Sequence, residues 1–452
     1  MELPPSAAGL RALPAQHLPP RVLAAVRAPT RGGEEFSAYL YDPAVAAGNA
    51  AALRDCLPDW AAVCYAVKAN GFPPILDALL GGPAGPAGPA GPPAPSGTAS
   101  AGSPAGPSGV DGFEVSSARE VRAALAAYRR VAPTRPPLLV ASGPAKSATL
   151  LGTLVEAGVS VINVESIGEL RRLEAVAARL GRRVDVAVRV NPARVRLAGT
   201  LQMGGRPSAF GVPEPDVPAV LAVAARLPHL DVVGFHVHAV SGNLDAVAHL
   251  DYVRWCLDFA ARAAVDARIE LRLVDVGGGF GVPFEPDRRG ERPFDLARFG
   301  EGLARLTAPG EARVLFEPGR LLVADCGWYA AEVIDVRHSY GTDFVILRGG
   351  IHHFALPTSW EIVHNFAVVP RTDSHPEGEQ RPVTVVGELC TPEDTLARDV
   401  RTGPVRPGDV VVFPMAGAYG YEFALAEFLG HPRPRRVLLR SGARGGLRAV
   451  GS

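Results

Sequence analysis

The stretch Ala61-Ala62-Val63-Cys64-Tyr65-Ala66-Val67-Lys68-Ala69-Asn70 decides the fold. Its first seven residues are an unbroken apolar run that reads as a buried strand. A lysine closes the run. The chain has only two lysines, Lys68 and Lys146, among 46 basic residues, so arginine covers nearly every position that needs only charge. A guanidinium stays protonated, whereas a desolvated ε-amine can act as a nucleophile and join a carbonyl. The C-terminal end of a buried strand is also where open and closed α/β folds put their chemistry. Lys146, in Gly143-Pro144-Ala145-Lys146-Ser147, leaves chance and function evenly balanced.

Outward from this strand, apolar runs recur at 138–141, 159–164, 184–190, 232–238, 271–276 and 314–316. Ala/Leu/Arg-rich stretches of helical period separate them, at 117–130, 167–180, 217–226, 244–264 and 296–306. Strand–helix alternation of this length predicts an α/β fold of the (β/α)8 TIM-barrel type. After Arg320 short β-branched runs at 331–336, 344–347, 383–386 and 409–413 alternate with Gly/Pro turns, the texture of a smaller β domain. The expected organisation is a barrel over 37–320, a C-terminal β domain over 321–452, and an N-terminal segment, 1–36, contributing to the β domain. A stretch from Gly81 to Gly109 is almost wholly Gly, Pro, Ala and Ser and reads as a disordered insert.

Composition narrows the class. The 452 residues are 47% hydrophobic with a formal net charge of zero, and no basic block stands out, so no nucleic-acid or membrane partner is expected. Five cysteines without a C-x-x-C pair fit a reduced, cytoplasmic protein. No apolar run reaches the roughly 18 residues of a membrane span, and the first thirty residues lack the apolar core of a signal peptide.

Polar and glycine signals fall at the C-terminal ends of the expected barrel strands. They are Lys68, Glu114, Arg189, the segment Phe235-His236-Val237-His238-Ala239-Val240-Ser241-Gly242-Asn243, then Asp275-Val276-Gly277-Gly278-Gly279 and Glu317-Pro318-Gly319-Arg320. Consecutive glycines after a strand let backbone N–H groups turn toward an anion, and Arg320 offers a forked donor to the same group. His236 is read as a core histidine turned away from His238.

In combination, Tyr65–Asn70, the His238/Ser241 pair, Gly277–Gly279, Glu317–Arg320, Cys390 and Gly417-Ala418-Tyr419 resemble the fold-type III pyridoxal-phosphate decarboxylases, the ornithine and diaminopimelate decarboxylase group. The resemblance runs from about residue 37 to 435 and implies an alanine-racemase-like barrel with a β domain. It implies that Lys68 holds pyridoxal 5'-phosphate covalently and that His238 stacks on its ring. Ser241, Gly277, Gly278, Gly279, Arg320 and Tyr419 would contact the phosphate, and Glu317 the ring nitrogen. Cys390 would reach into a partner subunit's site as the proton donor, so a homodimer with shared sites is implied. Racemases resembling this chain carry an arginine where Glu317 stands; a carboxylate keeps the ring nitrogen protonated and favours decarboxylation.

Departures from the group concern the substrate. Thr391 follows Cys390 where diaminopimelate decarboxylases have glutamate, and Leu356 precedes Pro357 where they have arginine, which argues against diaminopimelate. Ala209 replaces a common lysine, and Val240 a common glycine. Phe235–Ala246, Gly349-Gly350-Ile351-His352-His353-Phe354, Cys390-Thr391-Pro392 and Gly417–Gly420 with Phe428–Pro432 resemble the siderophore-biosynthesis branch, whose members decarboxylate an amino acid joined to a carboxylic acid. Arg189, His352, His353, His364, Thr391 and Asp394 are the expected substrate contacts. No metal is expected, because no carboxylate or cysteine completes a recognisable spacing with these histidines. Alternatives are a decarboxylase of diaminopimelate- or ornithine-like or carrier-protein-tethered amino acids, a racemase or epimerase, and a catalytically inactive regulatory relative.

Overall fold

In the computed structural model, which describes residues 4–28, 36–82, 109–194, 197–285, 290–371, 378–439 and 448–449, the run quoted above is the strand Ala61–Ala66, buried at all six positions. It pairs in parallel with Gly112–Val115 on one side and Arg313–Phe316 on the other. From Gly112–Val115 the sheet continues through Leu139–Ala141, Val161–Val164, Val184–Asn191, Leu230–His236 and Leu273–Asp275 back to Arg313–Phe316. Among the described residues these eight parallel strands close on themselves, so no edge remains unpaired.

Helices cover the outside, and local chemistry starts them. Ser117 accepts from Glu120 N at 3.3 Å to open Ala118–Val131, while Glu120 accepts from Ser116 N at 2.6 Å. Ser166 and Glu169 repeat the device for Ile167–Leu180, which ends on Gly181 at φ +61°. Glu169 also pairs with the second lysine: Lys146 Nζ lies 2.8 Å from it and donates to the carbonyls of Gly143 and Asn163 at 2.6 and 2.8 Å. Two carbonyls take its hydrogen bonds and Glu169 meets its charge, all within the buried interior, so Lys146 is structural.

The second sheet is built on the long strand Gly327–Ser339, which pairs antiparallel with Thr342–Leu347, Val410–Phe413 and Ser37–Tyr41. Ser37–Tyr41 is therefore part of this sheet, although the sequence placed it at the start of the barrel range 37–320, and it also pairs in parallel with Arg435–Leu438. Arg381–Val386 and Thr395–Thr402 extend it. Near the N-terminus, bridges join Ser6 to Arg398, Arg11 to Arg401 and Leu13 to Ala367.

Residues 83–108 of the Gly/Pro-rich stretch lie outside the described residues. Its flanks meet: Val110 N donates to Leu79 O at 2.8 Å. Among the described residues, no helix is long and apolar enough to cross a membrane.

Candidate active site

The barrel's C-terminal ends gather a set of charges that the strand register fixes. Ala66 stands opposite Glu114 across the first two strands. Two residues on, Lys68 Nζ meets Glu114 Oε2 at 2.7 Å, and Ser116 Oγ donates to the other carboxylate oxygen at 3.1 Å. Glu114 is fully buried while the Lys68 side chain stays 44% exposed, so the amine sits at the open side of this pair. Desolvation would lower the Lys68 pKa, but Glu114 and Glu317 outweigh it and keep the ammonium charged.

Glu317 directly follows Arg313–Phe316. Its Oε2 lies 3.5 Å from His236 Nε2, and its buried Oε1 has no hydrogen-bond partner. Burial would raise its pKa; the His236 contact and the Lys68 ammonium hold it below the ordinary carboxylate range. Neighbouring Asp275 takes the opposite direction, raised by burial and by Glu317. His236 was expected to face away from His238. Residues two apart along a strand share a face, and His236 joins the site.

The glycines after Leu273–Asp275 form a cradle. Gly277 and Gly279 have φ of +68° and +96°. A Cβ at Gly278 would stand 2.2 Å from the Glu317 carbonyl oxygen, so only glycine fits. Gly278 N donates to His238 Nδ1 at 3.0 Å. Burial, followed by the charges of Lys68 and Arg189, pushes the His238 pKa well down. The ring is thus neutral and carries its proton on Nε2. Ser241 sits beside the cradle, where Asn243 N donates to Gly279 O at 2.8 Å.

Arg320 is buried inside an aromatic box, its guanidinium 4.7 Å from the Trp360 ring, 4.9 Å from Tyr419 and 5.5 Å from Phe284. Its Nη1 is buried without a hydrogen-bond partner. Sequence reading found Arg320 and Tyr419 but not Trp360 or Phe284, which reach the guanidinium from loops with no periodic signal. The β domain is tied in here: Tyr419 N donates to Ala69 O at 2.8 Å, and Asn70 Nδ2 to Gly417 O at 2.8 Å.

The expected substrate contacts do not converge on one group. Arg189 pairs with Glu165 at 2.9 Å, both buried, and lies over the Phe210 ring. His353 donates from Nε2 to Pro432 O at 2.7 Å and accepts from Ser37 Oγ at 2.9 Å. His364 lies edge-on to Phe284 and Phe354, and burial pushes its pKa down to about 4. Asp394 accepts from the backbone N–H of Ile351 and of Leu389, both at 2.7 Å, and so clasps two loops together. Thr391 bonds to Glu393. His352 faces Glu388. Cys390 is exposed. A cavity of about 1080 Å³ lies at the opposite end of the barrel, against Leu230–Val232 and the helices Val217–Ala224 and Ala246–Ala267, and touches none of these side chains.

Residues 107–324 match the pyridoxal-binding domain of the pyridoxal-dependent decarboxylases. Over 409 residues, 89% of this chain and 93% of the relative, the sequence is 33% identical to a 2-[(L-alanin-3-ylcarbamoyl)methyl]-2-hydroxybutanedioate decarboxylase of Staphylococcus aureus. It is 32% identical over 315 residues, 68% of this chain and 73% of the relative, to an L-glutamyl-[BtrI acyl-carrier protein] decarboxylase of Niallia circulans. The fold matches diaminopimelate decarboxylase from Helicobacter pylori complexed with L-lysine at a TM-score of 0.74, with 24% identity, over 92% of this chain and 94% of that one.

Proposed function

The chain belongs to the pyridoxal-dependent decarboxylases, and from that premise we propose that it removes the α-carboxylate of an L-amino acid joined to a carboxylic acid. The observation that carries the site assignment is Arg320 Nη1, a buried cationic donor without a partner beside a glycine cradle. Such a donor costs stability unless an anion meets it, and a phosphate monoester supplies one. Glu317 offers a carboxylate for a protonated ring nitrogen, and Lys68 an amine for an aldehyde. The donor set thus fits pyridoxal phosphate, which when bound supplies an electron sink for the pair left by departing CO2.

In this reading Lys68 holds the cofactor through its amine, and Glu114 Oε2, 2.7 Å away, positions that nitrogen. His238 presents a neutral ring face. Gly277, Gly278, Gly279, Ser241, Arg320 and Tyr419 bind the phosphate. Glu317 accepts from the ring nitrogen, with His236 and Asp275 fixing its charge. Cys390, exposed in the single chain, protonates the α-carbon in the site of a second copy, so the enzyme is a homodimer. Arg189, His353 and Asp394 act through the groups they hold rather than by touching substrate. Thr391 leaves no negative charge for a distal ammonium, which supports an acidic conjugate, as does the substrate in the name of the Staphylococcus aureus relative. Among the described residues all five cysteines are unpaired, which supports a reducing, cytoplasmic setting.

The test is CO2 release by purified enzyme that has gained a borohydride-sensitive absorbance band on adding pyridoxal phosphate. Citrate-conjugated diamino acids should release CO2, and Lys68→Ala should lose both the band and turnover. Release from free diaminopimelate or ornithine instead would overturn the substrate class. Release only from carrier-protein-linked glutamate would move the enzyme to the type of the Niallia circulans relative. Epimerisation with the carboxylate retained would overturn decarboxylation, and failure to form the band would overturn the cofactor assignment.

A further inference from the structure

Three side chains from distant parts of the β domain meet away from the cradle. His352 follows the Gly349-Gly350 turn, Glu388 precedes the Cys390 loop by two residues, and His431 comes from near the C-terminus. The His352 side chain is 1% exposed, and neither ring nitrogen has a hydrogen-bond partner. Its Nε2 lies 3.4 Å from Glu388 Oε1, and His431 Nδ1 lies 3.9 Å from the same oxygen. The ligand atoms of all three residues fall within 4.8 Å of one another.

These separations are too long for good hydrogen bonds, which run about 2.7–3.2 Å. Bonds of about 2.0–2.2 Å in a coordination tetrahedron set ligand atoms roughly 3.3–3.6 Å apart; the His352–Glu388 separation matches that edge, and His431, on the partly exposed side, has a few tenths of an ångström or more to close. An anion is disfavoured, because Glu388 already puts a carboxylate in the middle of the cluster. The surroundings hold the donors in place. Arg348 takes Glu388 Oε2, leaving Oε1 turned toward the histidines. Glu388 N donates to Gly349 O at 2.9 Å, and Asp394 binds both flanking loops. His353, packed 4.0 Å from the His352 ring, anchors Pro432 next to His431. Hydrogen-bonded ligating carboxylates and a fixed outer shell are what metal sites need.

We propose that His352, Glu388 and His431 form a site for one divalent transition-metal ion, zinc by donor type, with a fourth position open to water or a carboxylate oxygen. Two histidines and a carboxylate with an open position are a recognised zinc donor set. The His431 and Glu388 side chains are 29% and 15% exposed, which gives the ion a way in. The site would tie together three segments, including the loop that carries Cys390. Sequence reading expected no metal because it sought a carboxylate near His352, His353 and His364; the fold supplies Glu388 and His431 from far away, and directs His353 and His364 elsewhere.

The proposal is independent of the reaction assigned above and is tested on the full chain without substrate. Metal-stripped protein is titrated with Co²⁺ and followed by its visible d–d bands, with equilibrium dialysis for stoichiometry. One ion per chain with the intense bands of a tetrahedral site is expected, together with a rise in Tm on adding Zn²⁺. His431→Gln, at a partly exposed position, should bind at least about a hundredfold more weakly and lose the Tm response, and Glu388→Gln should behave alike. His338→Ala, at an exposed histidine paired with Asp343 on the same domain, should leave binding unchanged. No saturable binding at one ion per chain, or undiminished binding in His431→Gln and Glu388→Gln, would overturn the site.

Discussion

Asp275 and Glu317 are two buried carboxyls sharing one site, and charging both at once is unfavourable. The proton belongs to Asp275, raised by burial and by the Glu317 charge, while the His236 contact and the Lys68 ammonium keep Glu317 ionised against the effect of burial. Asp275 Oδ1 meanwhile accepts from Gly277 N at 2.9 Å, so this residue links the cradle to Glu317. The pH consequence has a definite sign. A raised folded-state pKa means that Asp275 supports folding fully only below its unfolded value of about 3.9, and that this support is lost as pH rises toward the folded value. Asp275→Asn keeps an acceptor for Gly277 and a donor for Glu317 but has nothing to ionise. In the cofactor-free protein its Tm should exceed that of the wild type by a margin that widens from about pH 4 to about pH 8, reaching a few degrees. A margin that stays flat with pH would put the proton elsewhere. Asp275→Ala leaves Gly277 N unpaired and should cost about 1–3 kcal/mol at every pH.

At the level of elements, the cradle makes the sharpest prediction. In Gly278→Ala the new Cβ would meet the Glu317 carbonyl oxygen at 2.2 Å and its carbon at 3.0 Å, both backbone atoms that cannot rotate away. The loop must shift, taking the phosphate donors and Glu317 with it. Affinity for pyridoxal phosphate, read by equilibrium dialysis, should fall by more than about tenfold, with helix and strand content unchanged. Gly152→Ala is the matched control: it lies inside the helix Ala148–Glu156, and its nearest neighbour would be 3.8 Å away. That change should leave cofactor binding intact and stabilise by up to about 1 kcal/mol. The elements legible in the sequence were those with a run or a period, such as Val184–Asn191 and Ile167–Leu180. Gly112–Val115 was not, because four residues with a charged Glu114 make no apolar run; Lys68 across the sheet is what allows that burial. Thr395–Thr402 alternates too weakly to read, and Ser37–Tyr41, placed by the sequence at the start of the barrel, is a strand of the second sheet. The cradle, Lys68, Glu317 and Arg320 were readable because each sits at a strand end. Trp360, Phe284, Glu388 and His431 were not, since only tertiary folding brings them to their partners.

For the whole molecule, two properties follow from how the pieces connect. The Gly/Pro-rich stretch leaves and rejoins the barrel where Leu79 O already bonds Val110 N at 2.8 Å. Replacing residues 83–108 with a short Gly/Ser link should therefore leave Tm and kcat/KM unchanged, since loop closure depends only weakly on length; a large loss in either would give the insert a structural or catalytic part. The second property is the division of labour between subunits. If Lys68 of one chain works with Cys390 of the other, then Lys68→Ala and Cys390→Ala damage different halves of each shared site. A mixed dimer holds one site with both defects and one with neither. Random exchange makes about half the dimers mixed, each with one intact site of two, so co-refolded inactive variants should recover about a quarter of wild-type activity. Size-exclusion chromatography with light scattering gives the oligomeric state in parallel. A dimer whose mixed variants stay inactive would mean that Lys68 and Cys390 serve the same chain's site. In that case the Cys390 loop would have to fold back over its own barrel, and its exposure in the single chain would need another occupant.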